Sequence, residues 1–202
     1  TSEIMVMAEL ATPRESRVLE RGRYDRPMQV VQPGTPERIY AFPVGLPPNR
    51  LGLAAWVTDP EHPLTARVAV NRLWSIVFGR GIVATSEDFG SQGMRPTHPE
   101  LLDQLALDFI QSDWDVKAML RRFVLSSTYR QASAGTPESR VIDPENSLLS
   151  RGPSDRLTAE MVRDQALAAS GLLVGAIGGP SVYPYQPGGL WQEKSGRVYP
   201  QG

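Results

Sequence analysis

Apolar residues recur at helical spacing along most of the chain from about Asn49 onward. Three segments place them three and four residues apart, the spacing that gives a helix one buried face. A fourth helix is predicted between Thr158 and Gly171. The apolar faces of the first three helices are Ala66, Val70, Leu73 and Val77; Leu101, Leu102, Leu105 and Phe109; and Val116, Met119, Leu120, Phe123 and Val124.

Residues that cap helices mark where these segments begin and end. Residues 97–100 are Thr-His-Pro-Glu, a capping-box pattern with a proline in the first turn, so Thr97 is the expected N-cap. Asp115 is expected to cap the next helix and Thr158 the last one. Gly79 follows the first helix and can end it.

The N-terminal part follows a different pattern, in which short apolar runs are separated by prolines. A strand is predicted over residues 4–10, where Ile4, Val6, Ala8 and Leu10 stand at every second position. Further strands are predicted around 18–19 and 30–31 and over 38–42. This part of the chain is therefore expected to consist of short strands and turns.

The predicted fold class is α+β, helix-dominated with a small β-rich N-terminal part. The β-rich segment covers residues 1–48, and the helical region covers residues 49–202. Within the helical region, residues 132–153 are predicted to be a loop. We interpret the chain as a fragment, and we expect the helical region to be one domain that continues beyond the end of this sequence.

Composition and charge narrow the range of functions. A formal net charge of −1 provides no overall attraction for nucleic acid. The absence of cysteine excludes disulfides, thiolate metal sites, a cysteine nucleophile and a haem-attachment motif in this stretch. The two histidines have no second histidine nearby, so no metal or cofactor is expected in the chain itself. No apolar run reaches the roughly 20 residues of a membrane-spanning helix.

The glycine-rich loop before the Thr97 helix is a candidate anion site. Gly90 and Gly93 free the backbone, Arg95 supplies a positive charge, and helix N–H groups follow. The alternative is an ordinary connection in which Asp88 and Thr97 satisfy local backbone groups. Asp88 is also a candidate catalytic carboxylate.

Two carboxylates on the fourth helix are the best candidates for catalysis. Glu160 and Asp164 are four residues apart, so both project from one face and could share acid–base work. The alternative is a structural charge ladder, in which Arg156 and Arg163 each lie within reach of Glu160.

Candidate ligand-binding residues are rich in arginine, the basic residue that outnumbers lysine by 19 to 2. Arg67 and Asn71 lie on the first long helix, in a stripe beside its aliphatic face, and are expected either to bond loop carbonyls or to contribute to a ligand site. Arg80 and Arg95 could bind an acidic ligand. Trp191 ends an aromatic and proline-rich segment that could stack on sugar rings or pack over a core.

The chain also resembles a known family. The motifs lie in residues 63–74, 78–81, 88–93, 98–102 and 143–146, and further matches cover nearly the whole chain. Together they resemble the planctomycete cytochrome c-associated domain of unknown function, family 1553.

The resemblance implies a context rather than a reaction. Such domains are C-terminal parts of long, exported proteins that often carry a c-type cytochrome domain. Haem c would then lie in an attached domain, the other domains of the parent protein would be partners in cis, and the location would be extracytoplasmic. The family brings no established activity, so no catalytic residue is carried over.

Two hypotheses of different classes follow. The first is a structural or ligand-binding module that binds an acidic or sulfated glycan through Arg80, Arg95 and Trp191. The second is a hydrolytic or redox-coupled enzyme that acts on an extracellular polymer with Glu160 and Asp164. The missing nucleophile and metal patterns favour the first.

Overall fold

A computed structural model describes residues 4–12 and 14–179, together with residues 183, 185, 189, 193 and 196. The chain divides into two compact units, Thr1–Asp155 and Arg156–Gly202. Within the described residues there are six α-helices and a two-stranded antiparallel sheet near the N-terminus. The predicted helix-dominated α+β class is confirmed. In the described part of the chain, no helix has the length and apolar character needed to cross a membrane.

The first unit carries all but the last of these elements. The strands are β1 (Ser16–Leu19) and β2 (Pro27–Val31), and the helices are α1 (Arg50–Thr58), α2 (Thr65–Phe78), α3 (Pro99–Gln111), α4 (Val116–Leu125) and α5 (Pro137–Ile142). The second unit contains α6 (Ala159–Ala169). The short α5 lies inside residues 132–153, so the prediction of a continuous loop there is wrong. A threonine capping box at Thr136 starts this helix.

The N-terminal strands are predicted correctly only in part. β1 and β2 pair in an antiparallel hairpin, with Arg17 opposite Val30. Residues 4–10 form no strand; residues 38 and 39 lie in a turn, and residues 40–42 follow it without joining the sheet. Alternation along one segment is not enough, because a strand also needs a neighbour to bond its backbone N–H and C=O groups.

Helix α2 lies at the centre of the core, where it packs against α3 and α4. Its buried face is Ala66, Val70, Trp74 and Phe78, whereas Leu73 and Val77 of the predicted face are only partly buried. The Trp74 and Phe78 rings stack with centroids 3.9 Å apart. A helix that contacts two neighbours buries a wide arc, and here Trp74 and Phe78 are more fully buried than Leu73 and Val77.

Three of the predicted boundaries are confirmed, and one is wrong. The Asp115 carboxylate accepts from Ala118 N–H at 2.9 Å, the Thr158 hydroxyl accepts from Met161 N–H at 3.3 Å, and α2 ends at Gly79 with φ 79°. The capping box at residues 97–100 does not form, because α3 begins at Pro99 and its N-cap is His98.

Thr97 is instead used in tertiary contacts. Its backbone N–H and its hydroxyl both donate to the Ile82 carbonyl, at 2.9 and 3.3 Å. With Pro99 as the first helical residue, Thr97 lies one position too early to cap α3. Its side chain therefore closes the loop between α2 and α3.

Candidate functional site

A cavity of about 710 Å³ lies in the first unit, beside the start of α1. Its volume falls within the range of about 300–1,000 Å³ that is typical of small-molecule sites. Three stretches of chain build it: the N-terminal segment, the residues after β2, and the start of α1. The lining residues are Ala8, Glu9, Leu10, Arg14, Pro33, Gly34, Thr35, Glu37, Phe42, Pro48, Asn49, Arg50 and Leu53.

Close packing positions the α1 side of this cavity. The Asn49 side chain caps α1 by accepting from Leu51 N–H at 3.0 Å and Gly52 N–H at 3.1 Å, which places Arg50 as the first helical residue. A side chain at Gly52 would collide with the Pro47 carbonyl and the Phe42 ring. Glycine therefore lets α1 lie directly against the segment that supplies Phe42 to the cavity wall.

Polar groups of several kinds face this space. The Arg50 Nε atom forms an ion pair with Glu9 Oε1 at 2.9 Å. Arg14 and Glu37 make no hydrogen bond or ion pair with any described residue. The Thr35 hydroxyl oxygen is buried and has no hydrogen-bond partner among the described residues. A buried polar group without a partner is costly, but this oxygen is closed off from the open space of the cavity, so Arg14 and Glu37 are the unpaired groups that a ligand could reach.

The chemistry of this lining suits a ligand with both polar and apolar surfaces. Guanidinium groups donate, carboxylates accept, and a hydroxyl can do both. Leu10, Phe42 and Leu53 supply apolar wall between them. A sugar ring presents hydroxyl groups at its edge and C–H groups on its faces, and it matches such a lining. Among the residues that the structure describes, no cluster of three or more His, Asp or Glu could hold a metal ion.

The sequence-predicted residues Arg67 and Asn71 lie on α2, away from this cavity. Arg67 bonds the Pro63 carbonyl and pairs with Asp103 at 2.6 Å. Asn71 is fully buried, donates to the Val83 carbonyl at 3.0 Å and accepts from Val83 N–H at 2.8 Å. The predicted bonds to loop carbonyls are confirmed, and these contacts favour the structural alternative for both residues.

The loop between α2 and α3 satisfies its own backbone groups. The Asp88 carboxylate accepts from Gly90 N–H at 2.7 Å, and the Thr85 hydroxyl donates to the Asp88 carbonyl at 2.8 Å. These bonds favour the ordinary-connection alternative over an anion site. Arg95 is exposed and has no bonded partner among the described residues. No hydrogen bond or ion pair joins Arg95 to Asp88 among the described residues.

Arg80 pairs with Glu145, which lies in the motif at residues 143–146. A small cavity, of about 20 Å³, lies beside them. The neighbouring Asp143 carboxylate accepts from Ser147 N–H, the Ser147 hydroxyl and Leu148 N–H at 2.7–2.9 Å. Burial opposes ionisation of Asp143, but these hydrogen bonds and the charge of Arg151 together hold its pKa below the ordinary value.

The two helix carboxylates lie in the second unit, and both are exposed. The pKa of Glu160 is lowered because its carboxylate accepts from its own backbone N–H and from Thr158. Asp164 pairs with Arg163 at 3.5 Å. No ion pair joins Glu160 to Arg156 or Arg163 among the described residues, so the predicted charge ladder through Glu160 does not form there. Trp191 lies outside the described residues.

The two histidines mark helix starts, as their positions before prolines suggest. His62 is buried, and its Nδ1 atom accepts from Leu64 N–H and Thr65 N–H at 3.3 Å each, at the start of α2. Its Nε2 atom has no hydrogen-bond partner among the described residues. The ring contacts Trp56 edge-on with centroids 4.5 Å apart. These contacts give His62 a structural role at the α2 N-terminus.

Sequence reasoning does not find the residues of the large cavity. Glu9, Arg14, Thr35 and Arg50 have no motif spacing, and they meet because the N-terminal segment returns to α1. The one local signal is Asn49, a strong N-cap residue at the position where the helical pattern begins.

Comparison with known proteins gives a family and no individual relative. A family model described as PSD1, protein of unknown function (DUF1553), matches residues 49–201. No curated protein and no solved structure shows significant similarity to the chain. The match begins beside the predicted boundary at residue 48, which stays a prediction.

Proposed function

The chain belongs to the PSD1 family of unknown function (DUF1553), and from this premise we propose that it is a ligand-binding module of a larger exported protein. Its ligand is an acidic glycan, which it binds in the cavity beside α1. Its partners in cis are other domains of the parent protein, including a c-type cytochrome domain that would carry haem c. Its location is extracytoplasmic.

The unsatisfied polar groups of the cavity carry this proposal. Among the described residues, the Arg14 guanidinium and the Glu37 carboxylate have no bonded partner, and both residues line the cavity. A carboxylate or sulfate on the ligand would pair with Arg14, and a sugar hydroxyl would donate to Glu37. The cavity volume of about 710 Å³ is large enough for a small oligosaccharide.

The motif residues support a binding module rather than an enzyme. Asn71 ties α2 to the loop that follows it, and Arg80 pairs with Glu145. The alternative is a hydrolytic or redox-coupled enzyme that uses Glu160 and Asp164 on an extracellular polymer. A general acid needs a raised pKa, whereas the pKa of Glu160 is lowered. We therefore favour the binding module.

A binding comparison on the intact protein tests the proposal. Calorimetry would compare tetragalacturonate, a sulfated chondroitin tetrasaccharide and maltotetraose as ligands. We expect an acidic glycan to bind and maltotetraose to bind at least about tenfold more weakly, because one charged hydrogen bond contributes about 1.5–3 kcal/mol.

Arg14→Gln should weaken binding of the acidic glycan by roughly tenfold or more. The matched control is Arg121→Gln, which removes an exposed arginine of α4 and should leave the affinity unchanged. Equal losses of affinity in the two variants would mean that glycan binding depends only on the net charge of the protein. That result, or failure of all three glycans to bind, would contradict the proposal.

A further inference from the structure

The ion pair between Glu9 and Arg50 joins two walls of the cavity. Glu9 lies in the N-terminal segment, residues 4–12, and Arg50 is the first residue of α1. Both residues line the cavity, and the charged atoms are 2.9 Å apart. The Glu9 carboxylate therefore already pairs with the Arg50 guanidinium in the space where a ligand would bind.

Few contacts hold residues 4–12 in this position. The segment belongs to no helix or strand, and its backbone forms no hydrogen bond with another described residue. Ile4, Val6 and Leu10 are 81%, 83% and 67% exposed, so their burial contributes little to holding the segment. Among the described residues, the ion pair of Glu9 with Arg50 is thus the one polar contact between this segment and the rest of the first unit.

The ion pair is also of a kind that a ligand can replace. The side chains of Arg50 and Glu9 remain 41% and 50% exposed, and exposed pairs of this type are weak. A carboxylate on a ligand would offer Arg50 the same planar group that Glu9 offers. Replacing one carboxylate with another leaves the charge balance of the cavity wall unchanged.

We infer that Arg50 is a second carboxylate-binding residue of this cavity, in addition to Arg14, and that Glu9 pairs with it when no ligand is bound. This inference rests on the proposed function and makes it more specific: the ligand is a glycan that carries uronic acid. Its carboxylate displaces Glu9 from Arg50, so binding breaks the ion pair that ties residues 4–12 to the start of α1. Only molecules in which Arg50 is free of Glu9 can then bind the ligand. The affinity measured for the wild type is therefore lower than that of the free site, in proportion to the fraction of such molecules.

Calorimetry with tetragalacturonate on the full chain tests the competition. Glu9→Gln should bind roughly two- to fivefold more tightly than the wild type, because a weak competing ion pair is removed. Arg50→Gln should bind more than about tenfold more weakly. The matched control is Glu15→Gln, which removes the same charge from a glutamate that pairs with Arg17 outside the cavity, and its affinity should equal that of the wild type.

A second measurement follows the N-terminal segment directly. The chain has no cysteine, so Met7→Cys, at a site that is 78% exposed, gives a single position for a spin label. We expect the label to become more mobile when Glu9→Gln is added, without any ligand. In the labelled chain that keeps Glu9, adding tetragalacturonate should produce a similar increase.

The outcomes separate the two proposals. If wild type and Glu9→Gln bind tetragalacturonate equally, or if the label mobility does not change, the inference is wrong and the proposed function stands. If the chondroitin tetrasaccharide binds and tetragalacturonate does not, the ligand is sulfated and the uronic acid inference is wrong. If none of the variants binds any acidic glycan, both proposals are wrong.

Discussion

Replacing Asn71 by alanine should destabilise the first unit by about 3–5 kcal/mol. Asn71 is fully buried and makes three hydrogen bonds, two with the backbone of Val83 and one, at 3.2 Å, with the Ser86 hydroxyl. Val83 is itself only 2% exposed. The variant would leave the Val83 N–H and C=O groups buried without partners, at about 1–3 kcal/mol for each.

Urea unfolding of the full chain, followed by tryptophan fluorescence, measures this loss because Trp74 lies in the core beside Asn71. The matched control is Arg72→Ala, which removes the neighbouring exposed arginine and its 3.3 Å ion pair with Glu87. We expect the control to change the free energy of unfolding by less than about 1 kcal/mol. If Asn71→Ala were within that range too, the structural role of Asn71 would be refuted, and the ligand-binding alternative would regain support.

Three further substitutions can be measured in the same assay. Gly81→Ala should lower the free energy of unfolding by about 2–3 kcal/mol, because its Cβ would lie 2.6 Å from both Asn71 Nδ2 and the Val83 carbonyl. The loss should be smaller when Asn71→Ala is also present. If the two losses were strictly additive, the contact between the positions would be contradicted. Asp143→Asn should cost about 2–4 kcal/mol at neutral pH through lost hydrogen bonds. The pKa of Asp143 in the folded protein lies below its ordinary 3.8, so the Asp143 carboxylate stabilises the fold above pH 3.8, and this stabilisation is lost as the pH falls through the folded pKa. The Asp143→Asn variant should lack this part of the dependence of stability on acid pH. If its stability changed with pH as the wild type's does, the prediction would be contradicted. Asp115→Ala should cost about 1 kcal/mol through loss of the α4 N-cap, whereas Asp115→Asn should retain most of the stability, and equal losses would argue against capping.

The helices that sequence predicts best are those with local signals at both ends. α4 follows from Asp115 and from apolar residues three and four apart, of which Met119 and Phe123 are buried. Sequence also predicts that Asn71 bonds a loop carbonyl, because a polar residue between two apolar stripes must find a partner when buried. The helix α5 is missed because only six residues form it, too few to show a period.

The predictions that are wrong concern segments whose structure depends on residues far away in the sequence. Residues 4–10 place apolar side chains at every second position, like a strand, but no strand in the described part of the chain pairs with them. Thr97 has the pattern of a cap, yet the Ile82 carbonyl takes its N–H and its hydroxyl. A polar side chain can cap a helix or form a tertiary hydrogen bond. The fold decides between the two, because it determines which partner lies within reach.

The sequence by itself therefore determined the fold class, the family and the boundaries of most helices. Each of these depends on residues that are near one another along the chain or on ordered motifs. Only the tertiary structure decided that Arg14, Thr35 and Arg50 share a cavity and that Glu9 occupies Arg50. Glu9 and Arg50 are far apart in sequence, and no local period or cap relates them. They meet because the chain folds back against the start of α1, which is a property of packing rather than of spacing.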